Sequence, residues 1–429
     1  MTGSRLILAA AAAVFALTAA LYAPTLGGGF VYDSIGQVVY SDYIHRPENR
    51  AEVLTLRVVA KDELDRNRPL LLASLMADAA VWGKNPFGYR LTSVLLHALN
   101  AALVCAVALA TLARITPVRS GAVFAAAAGA LVFALHPLVV EAVAEPSNRE
   151  DILVLLAALT GIFVIVRGNP SRSWPALNAL LATLAFLAVT AKESGVAVPF
   201  VFAAAVLLFD VGTWQKFAPG LLGGLLAVAT FLAASYALRP TNSGVFLEAP
   251  PPLAADILAI LGVQARIWAL QLSQIFAPGN LSAHYQPEAI ARITSPQAAS
   301  VLALAAAAGA FAAWKSRLAA LGLALAALTV LPASNIAAQF QPVADRYLYA
   351  PVAGLGMVAA ALLAAAWARV PRARVALTAA AALILAAEYS ANFRRQQVWR
   401  EPTSLWSDAL RQFPRSAIAH FGVANAHYR

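Results

Sequence analysis

An all-α polytopic membrane protein of about eleven transmembrane helices, with a large first outer loop and a short helical tail, is the fold this sequence predicts. Three observations predict it. Of 429 residues, 61% are hydrophobic and only 12% charged, about half the charged share of a soluble domain. Apolar runs long enough to cross roughly 30 Å of hydrocarbon recur along the chain. The cations cluster in short connections between those runs. A water-soluble chain of this composition would expose large apolar patches, so the bilayer is the expected solvent.

The spans read near 5–24, 90–113, 120–138, 151–167, 173–190, 195–212, 217–238, 297–314, 317–333, 349–368 and 374–391. Arg5 and the small residues Thr18-Ala19-Ala20 also fit a secretory signal, but the motif just beyond argues for a retained anchor. Arg114 and Arg119, Arg167 and Arg172, Lys216, Lys315 and Arg317, and the group Arg369, Arg372 and Arg374 occupy alternate connections. Placing them all in the cytoplasm satisfies the positive-inside rule. The amino terminus is then inside, and eleven spans put the carboxyl terminus outside. Segment 28–89 mixes Arg with many acids, and long segments cross regardless of charge. Heavy Ala and Leu usage with Arg favoured over Lys suggests a bacterial, GC-rich source. The expected location is the inner membrane, with the active side facing the periplasm.

Two apolar stretches do not fit as spans. Residues 70–82 are too short and are expected along the interface. Residues 256–277 would break the charge alternation, and Gln264, Gln271 and Gln274 share a face at helical spacing. An amphipathic helix on the outer surface fits them, and a twelfth span is the rival. The net charge of +10 reports topology rather than nucleic-acid binding. The lone Cys105 leaves no partner for an intrachain disulfide. Residues 394–429 change character. Leu405-Trp406, Ala409, Phe413-Pro414 and the string from Ala419 to Gly422 and Tyr428 fit part of a tetratricopeptide repeat, or a plain helical hairpin. The chain thus divides into a membrane domain, 1–393, and a partial repeat, 394–429.

Ionisable groups are costly at membrane depth, so where they are tolerated is informative. Here they fall at outer span ends: Asp33; His136 and Glu141; Glu145, Arg149, Glu150 and Asp151; Lys192 beside Glu193; and Asp345-Arg346-Tyr347. Single charges of this kind often only snorkel. Together they suit activation of a hydroxyl beside a lipid phosphate, with a carboxylate as general base and Arg or Lys holding the phosphate. No Walker A sequence, nucleophile elbow or His-Glu-x-x-His helix competes. His97 and Asn100 read as an interhelical hydrogen-bonding pair.

The motifs Phe30-Val31-Tyr32-Asp33, Arg68-Pro69-Leu70, Asn85-Pro86-Phe87-Gly88-Tyr89 and His136-Pro137 through Glu141 to Arg149 appear in order. Lys192-Glu193, Pro332-x-Ser334-Asn335 and Arg346-Tyr347-Leu348-Tyr349-x-Pro351 follow them. In this set the chain resembles the membrane region of the transmembrane and tetratricopeptide-repeat O-mannosyltransferases, within the GT-C glycosyltransferases. The resemblance implies a GT-C-like fold and an inverting transfer from a polyprenyl-phosphate sugar, mannose above all, to a protein or envelope-glycan hydroxyl. It makes Asp33 the base and counts Glu141 as catalytic with it, Glu141 and Glu193 orienting the cations or the sugar. Arg149, Lys192, Arg346, Glu193, Tyr347 and His136 become the donor-binding set. The family commonly has a second acid where Ser34 stands, and Glu where Asp345 stands. No metal-ligand spacing is visible, so no metal or cofactor is expected, although a divalent ion stays open. A lipid-linked sugar flippase and a non-catalytic scaffold are the competing functions.

Overall fold

The computed structural model describes residues 3–114, 120–168, 173–209, 213–239, 257–334 and 341–428. Arg119, Arg172 and Asn335 lie outside the described residues. Among those described the chain is helical without a strand, as an apolar chain must be when its backbone has no water to satisfy it.

The long helices are α1 (Gly3–Tyr22), α2 (Pro69–Trp82), α3 (Pro86–Ala113), α4 (Ser120–Leu135) and α5 (Arg149–Arg167). They continue with α6 (Trp174–Ala191), α7 (Val198–Phe209), α8 (Trp214–Ala237), α9 (Ile257–Phe276) and α10 (Ser295–Lys315). The last are α11 (Arg317–Val330), α12 (Tyr349–Arg369), α13 (Arg374–Val398), α14 (Pro402–Gln412) and α15 (Ala417–Tyr428). Among the described residues, each apolar run read as a span is helical over most of its length. By length and composition alone, seven helices can cross a membrane, or eight if Ser120–Leu135 and Pro137–Ala144, bent by 52°, form one span. The shortfall from eleven has visible causes. Helices α7 and α11 have 12 and 14 residues, short of the roughly 20 a straight crossing needs. Helix α5 opens on Arg149, Glu150 and Asp151.

Helix α3 is the centre of the bundle: 78% of its apolar window is buried, against 6% for α10 and 11% for α13. Its His97 bonds the Tyr349 hydroxyl at 2.8 Å and the Ala134 carbonyl at 3.1 Å, and Asn100 donates to the Ile152 carbonyl at 3.0 Å. These are interhelical bonds to α12, α4 and α5, matching the reading of that pair. Helix α12 runs antiparallel to both α4 and α11. Gly129 meets Gly356 while Phe133 stacks on Tyr349, and Gly322 meets Gly354. At those crossings an added Cβ would strike the opposing backbone, the small-residue contact that lets helices approach in lipid. The carboxyl ends of α4 and α11 therefore lie beside the amino end of α12, at the end of the bundle that carries residues 28–89.

That loop has its own core, in which Leu71, Leu72, Leu75 and Met76 of α2 pack with Val38, Ile44, Val53 and Val58. Helix α2 therefore turns its buried face to the loop. Helix α9 is anchored twice at this same end. The carbonyl of its Ile275 bonds His136 Nε2 at 2.8 Å, and its Gln264 amide meets the Ser334 carbonyl. It therefore lies across the ends of the spans. Its Gln264, Gln271 and Gln274 face the protein, while Leu261, Val263 and Phe276 point out. The sequence pairs these three glutamines on one face correctly, but that face is the inner one.

Replacing Gly356 by Leu should force α4 and α12 apart and cost about 1–3 kcal/mol or more. A lowered unfolding midpoint in detergent, set against Leu362→Ala on the exposed part of α12, checks this.

Candidate active site

The chain leaves α1 through Arg90, a fully buried guanidinium that donates to the carbonyls of Gly29, Thr25 and Trp399. Gly28 is required beside it, because a Cβ there would stand 2.7 Å from the Arg90 guanidinium carbon. Four residues on, Tyr32 takes φ 47°, a left-handed conformation that costs an aromatic residue of order 1–3 kcal/mol. This turn sets the directions of the next two side chains. Asp33 points into a cavity of 910 Å³. Ser34 points into the protein, where its amide and Oγ meet Glu145 at 2.8 and 3.1 Å.

The same cavity is walled by Asp65 and Arg68 from the loop, Glu150 and Asp151 from α5, Lys192 and Glu193 from the end of α6, and Arg346 and Tyr347 before α12. Arg68 bridges Glu150 at 2.7 Å, Asp65 at 2.9 Å and Glu193 at 3.1 Å. Lys192 bridges Asp151 at 2.7 Å and Glu150 at 3.1 Å. Arg346 pairs with the buried Glu141 and reaches Gln341 at 3.1 Å. Lys192 and Arg346 both stand over the Tyr347 ring, at 5.4 and 5.3 Å, a cation–π arrangement. Burial would lower the pKa of Lys192, but Asp151 and Glu150 more than offset that and hold it charged.

Asp33 differs from the other acids. Among the described residues its carboxylate has no hydrogen-bond or ion-pair partner. Burial raises its pKa above the ordinary carboxylate value; Arg346 opposes this, while Glu150 and Glu141 add to it. Asp65, also at positive φ (54°), is pushed by burial up to about 6 against the pull of Arg68. Glu145 is pushed by burial up to about 8, with Asp33 adding to the effect. A neutral Glu145 suits its partner. The Ser34 hydroxyl already donates to the Val31 carbonyl at 2.7 Å, so a proton on the carboxyl completes the second bond.

On its other side Asp33 borders a groove of 330 Å³ between the loop and the tail, walled by Tyr32, Tyr40, His284, Trp406 and Phe421. Tyr32 stacks on Trp406 and Trp399, with centroids 5.5 and 6.0 Å apart. The tail is fixed below by Arg395, which pairs with Asp345 at 3.2 Å and Asp408 at 3.0 Å.

Of the residues expected at the site, Asp33, Lys192, Glu193, Arg346 and Tyr347 line the cavity, and Glu141 stands behind Arg346. Two do not meet it. Arg149 is fully buried on Asp78 (2.6 Å), Ser74, Ser93 and the Tyr89 carbonyl, so it ties α5 to α2 and α3. His136 caps the Leu138 amide through Nδ1 and holds Ile275 through Nε2. Asp65 was not singled out as a site residue by the sequence reading, Arg68 entered only within a motif, and Glu150 and Asp151 only among the charges at outer span ends. A signal existed for Arg68, which directly precedes the first-turn proline of an apolar helix, and for two acids opening an apolar span. Gln37 and Gln341 carried none. Ser34, where a second acid is common, faces Glu145 and not the cavity.

The chain is similar to two named mannosyltransferases of Drosophila melanogaster. It is 31% identical over 225 residues to "Protein O-mannosyl-transferase Tmtc1", across 51% of this chain and 25% of that protein. It is 32% identical over 204 residues to "Protein O-mannosyl-transferase Tmtc2", across 44% of this chain and 20% of that protein. The chain thus spans a quarter or less of the length of these relatives. No family model matches, and no solved structure matches.

The sign of the Glu145 effect can be tested. A carboxyl whose folded pKa lies above its unfolded value contributes stability at low pH that is lost as pH rises to the folded value. Here that window runs from 4.5 to about 8. Glu145→Gln, which keeps a donor toward Ser34 and cannot ionise, should match the parent near pH 5 and melt at a higher temperature above pH 8. Differential scanning fluorimetry across that range reads it.

Proposed function

We propose that this chain is the membrane portion of a glycosyltransferase with a GT-C-like domain over 1–393 and a tetratricopeptide-like piece over 394–429. It moves a sugar, mannose by the names of its relatives, from a polyprenyl phosphate to a hydroxyl of a protein or envelope glycan. The reaction takes place on the outer face of a bacterial inner membrane, with the amino terminus in the cytoplasm. One observation carries this reading: the carboxylate of Asp33, unpartnered among the described residues, stands between a cation-walled cavity and a separate aromatic groove. A group transfer needs that layout, with a donor on one side of a base and an acceptor on the other.

In this reading the donor phosphate adds its oxygens to the cavity-facing sides of Arg68, Lys192 and Arg346, with their carboxylates left in place behind them. The acceptor enters by the groove along Tyr32, Trp406 and Phe421. Asp33 takes the proton of the acceptor hydroxyl as that oxygen bonds to the anomeric carbon. The bond from that carbon to the phosphate oxygen breaks, and polyprenyl phosphate leaves with its charge met by the three cations. Glu141 holds Arg346 in place and so acts by positioning.

Purified protein in a membrane mimic, given labelled polyprenyl-phosphate sugars, should form product in a reaction that depends on Asp33. Asp33→Asn should lower turnover by about 10²–10⁴ with donor binding retained. The parent rate should rise with pH through a value above the ordinary carboxylate range. Undiminished turnover by Asp33→Asn would sink the assignment.

A further inference from the structure

The wall of the cation-lined cavity carries three polar atoms that the fold leaves without partners. Gln37, Ser147 and Asn148 all line the cavity, and these residues are only 3%, 6% and 2% exposed. Gln37 gives its amide nitrogen to Asp65, but its Oε1 is unpartnered among the described residues. So are the Ser147 Oγ and the Asn148 Nδ2. Leaving one such atom buried and unpaired costs about 1–3 kcal/mol, so each calls for an explanation. Asn148 adds a further sign. It occupies the cap position of α5, where an Asn side chain ordinarily bonds the first turn, yet it makes no such bond.

The turn that bears Ser147 and Asn148 is held from both ends. On one side Glu145 accepts from the Ser147 amide at 3.4 Å and from the amide of Ser34, the residue after Asp33, at 2.8 Å. On the other, Arg149 is fully buried on Asp78, and Glu150 lies between Arg68 and Lys192. Pro146 opens the turn and fixes one of its torsions. The segment thus runs, rigidly held, from the Asp33 turn to the cations. A group in transfer must occupy that stretch, because its reacting carbon lies between the base and the phosphate.

The three atoms differ in kind. Asn148 Nδ2 can only donate, Gln37 Oε1 can only accept, and the Ser147 hydroxyl does either. An ionised phosphate only accepts and would leave Gln37 unpaired. An ammonium only donates and would leave Asn148 unpaired, and a hydrocarbon would satisfy none. Neighbouring hydroxyls, each both donor and acceptor, satisfy all three. We infer that Gln37, Ser147 and Asn148 form the subsite that grips the hydroxyls of the transferred sugar and selects a neutral sugar by their arrangement. The inference rests on the donor reading above and adds to it which residues tell one sugar from another. Each unpaired atom hangs on a rotatable bond of a wall residue, so the sugar draws it out by side-chain rotation. A sugar that presents its hydroxyls wrongly is rejected because the buried groups then stay unpaired.

Native mass spectrometry of the full chain in detergent tests it. The probes are bare polyprenyl phosphate and the polyprenyl-phosphate esters of mannose, glucose and galactose, which differ only in the direction of one or two hydroxyls. The parent should prefer one of the three sugars by about tenfold or more. Ser147→Ala and Asn148→Ala should each remove most of that preference and leave bare polyprenyl phosphate bound as in the parent. Retained binding of the bare lipid also reports an intact fold and cation wall. Equal affinity of the parent for the three sugars, or a preference unchanged in both variants, would overturn the sugar subsite while leaving the donor reading standing. Variants that lose the bare lipid as much as the sugar lipids would make the turn structural and overturn the subsite as well. A parent that binds none of the four polyprenyl phosphates would overturn both readings.

Discussion

The site depends on one buried carboxylate, Glu150. It is 3% exposed and lies between Arg68 at 2.7 Å and Lys192 at 3.1 Å. Those three residues come from the large loop, the start of α5 and the end of α6, so a single acid ties together three segments that Arg68–Glu193 and Lys192–Asp151 also link in pairs. Removing one partner of such a buried set leaves an uncompensated charge and costs about 3–5 kcal/mol. The arrangement therefore holds or fails as a unit. It also explains why Lys192 and Glu193 sit in a connection of a few residues, since Lys192 must reach inward to Glu150 and Asp151 while Glu193 reaches across to Arg68.

Local conformation serves that network. Tyr32 and Asp65 both adopt left-handed backbone in the cavity wall, where non-glycine residues are rare. Each is overdetermined by its surroundings, Tyr32 by stacking on Trp399 and Trp406 and Asp65 by Arg68 and Gln37. Strain held in this way at two cavity residues is what a site built for preorganised chemistry shows. The tail takes part because Trp406 both stacks on Tyr32 and lies against Gly422, where any Cβ would collide with the indole. The groove wall and the backbone that aims Asp33 are thus one packed unit.

The helices were legible because span-length apolar runs and alternating loop charge leave few alternatives. The direction of a face was less so. Periodicity put Gln264, Gln271 and Gln274 together, but soluble-protein intuition turns a polar face outward, and here the chain's apolar side chains point away from the protein. At the site, Asp33, Lys192 and Arg346 stood out as charges at apolar span ends. Arg149 stood out for the same reason and is structural, because sequence position says how near a charge lies to a span end and nothing of which neighbour neutralises it. Arg68 is its counterpart. It was visible only as part of a motif, and it became a cavity residue when the loop folded back on α5 and α6.

The contrast between those two arginines bears on how the cavity treats an anion. Arg149 is fully enclosed by Asp78, two serine hydroxyls and a carbonyl, and a ligand gains nothing by approaching it. Arg68, 27% exposed, Lys192 and Arg346 keep one side toward the cavity, and each is charged because acids behind it keep it so. An incoming phosphate would find cations whose desolvation is already offset by the fold, and would add charge-assisted hydrogen bonds in a site of low local dielectric. Asp33 is left out of this pairing. An acid tied to a cation would be a weaker base, and one fully in water would be held by solvent. A carboxylate beside three cations but bonded to none keeps a raised pKa and a free lone pair, the two properties that a general base requires.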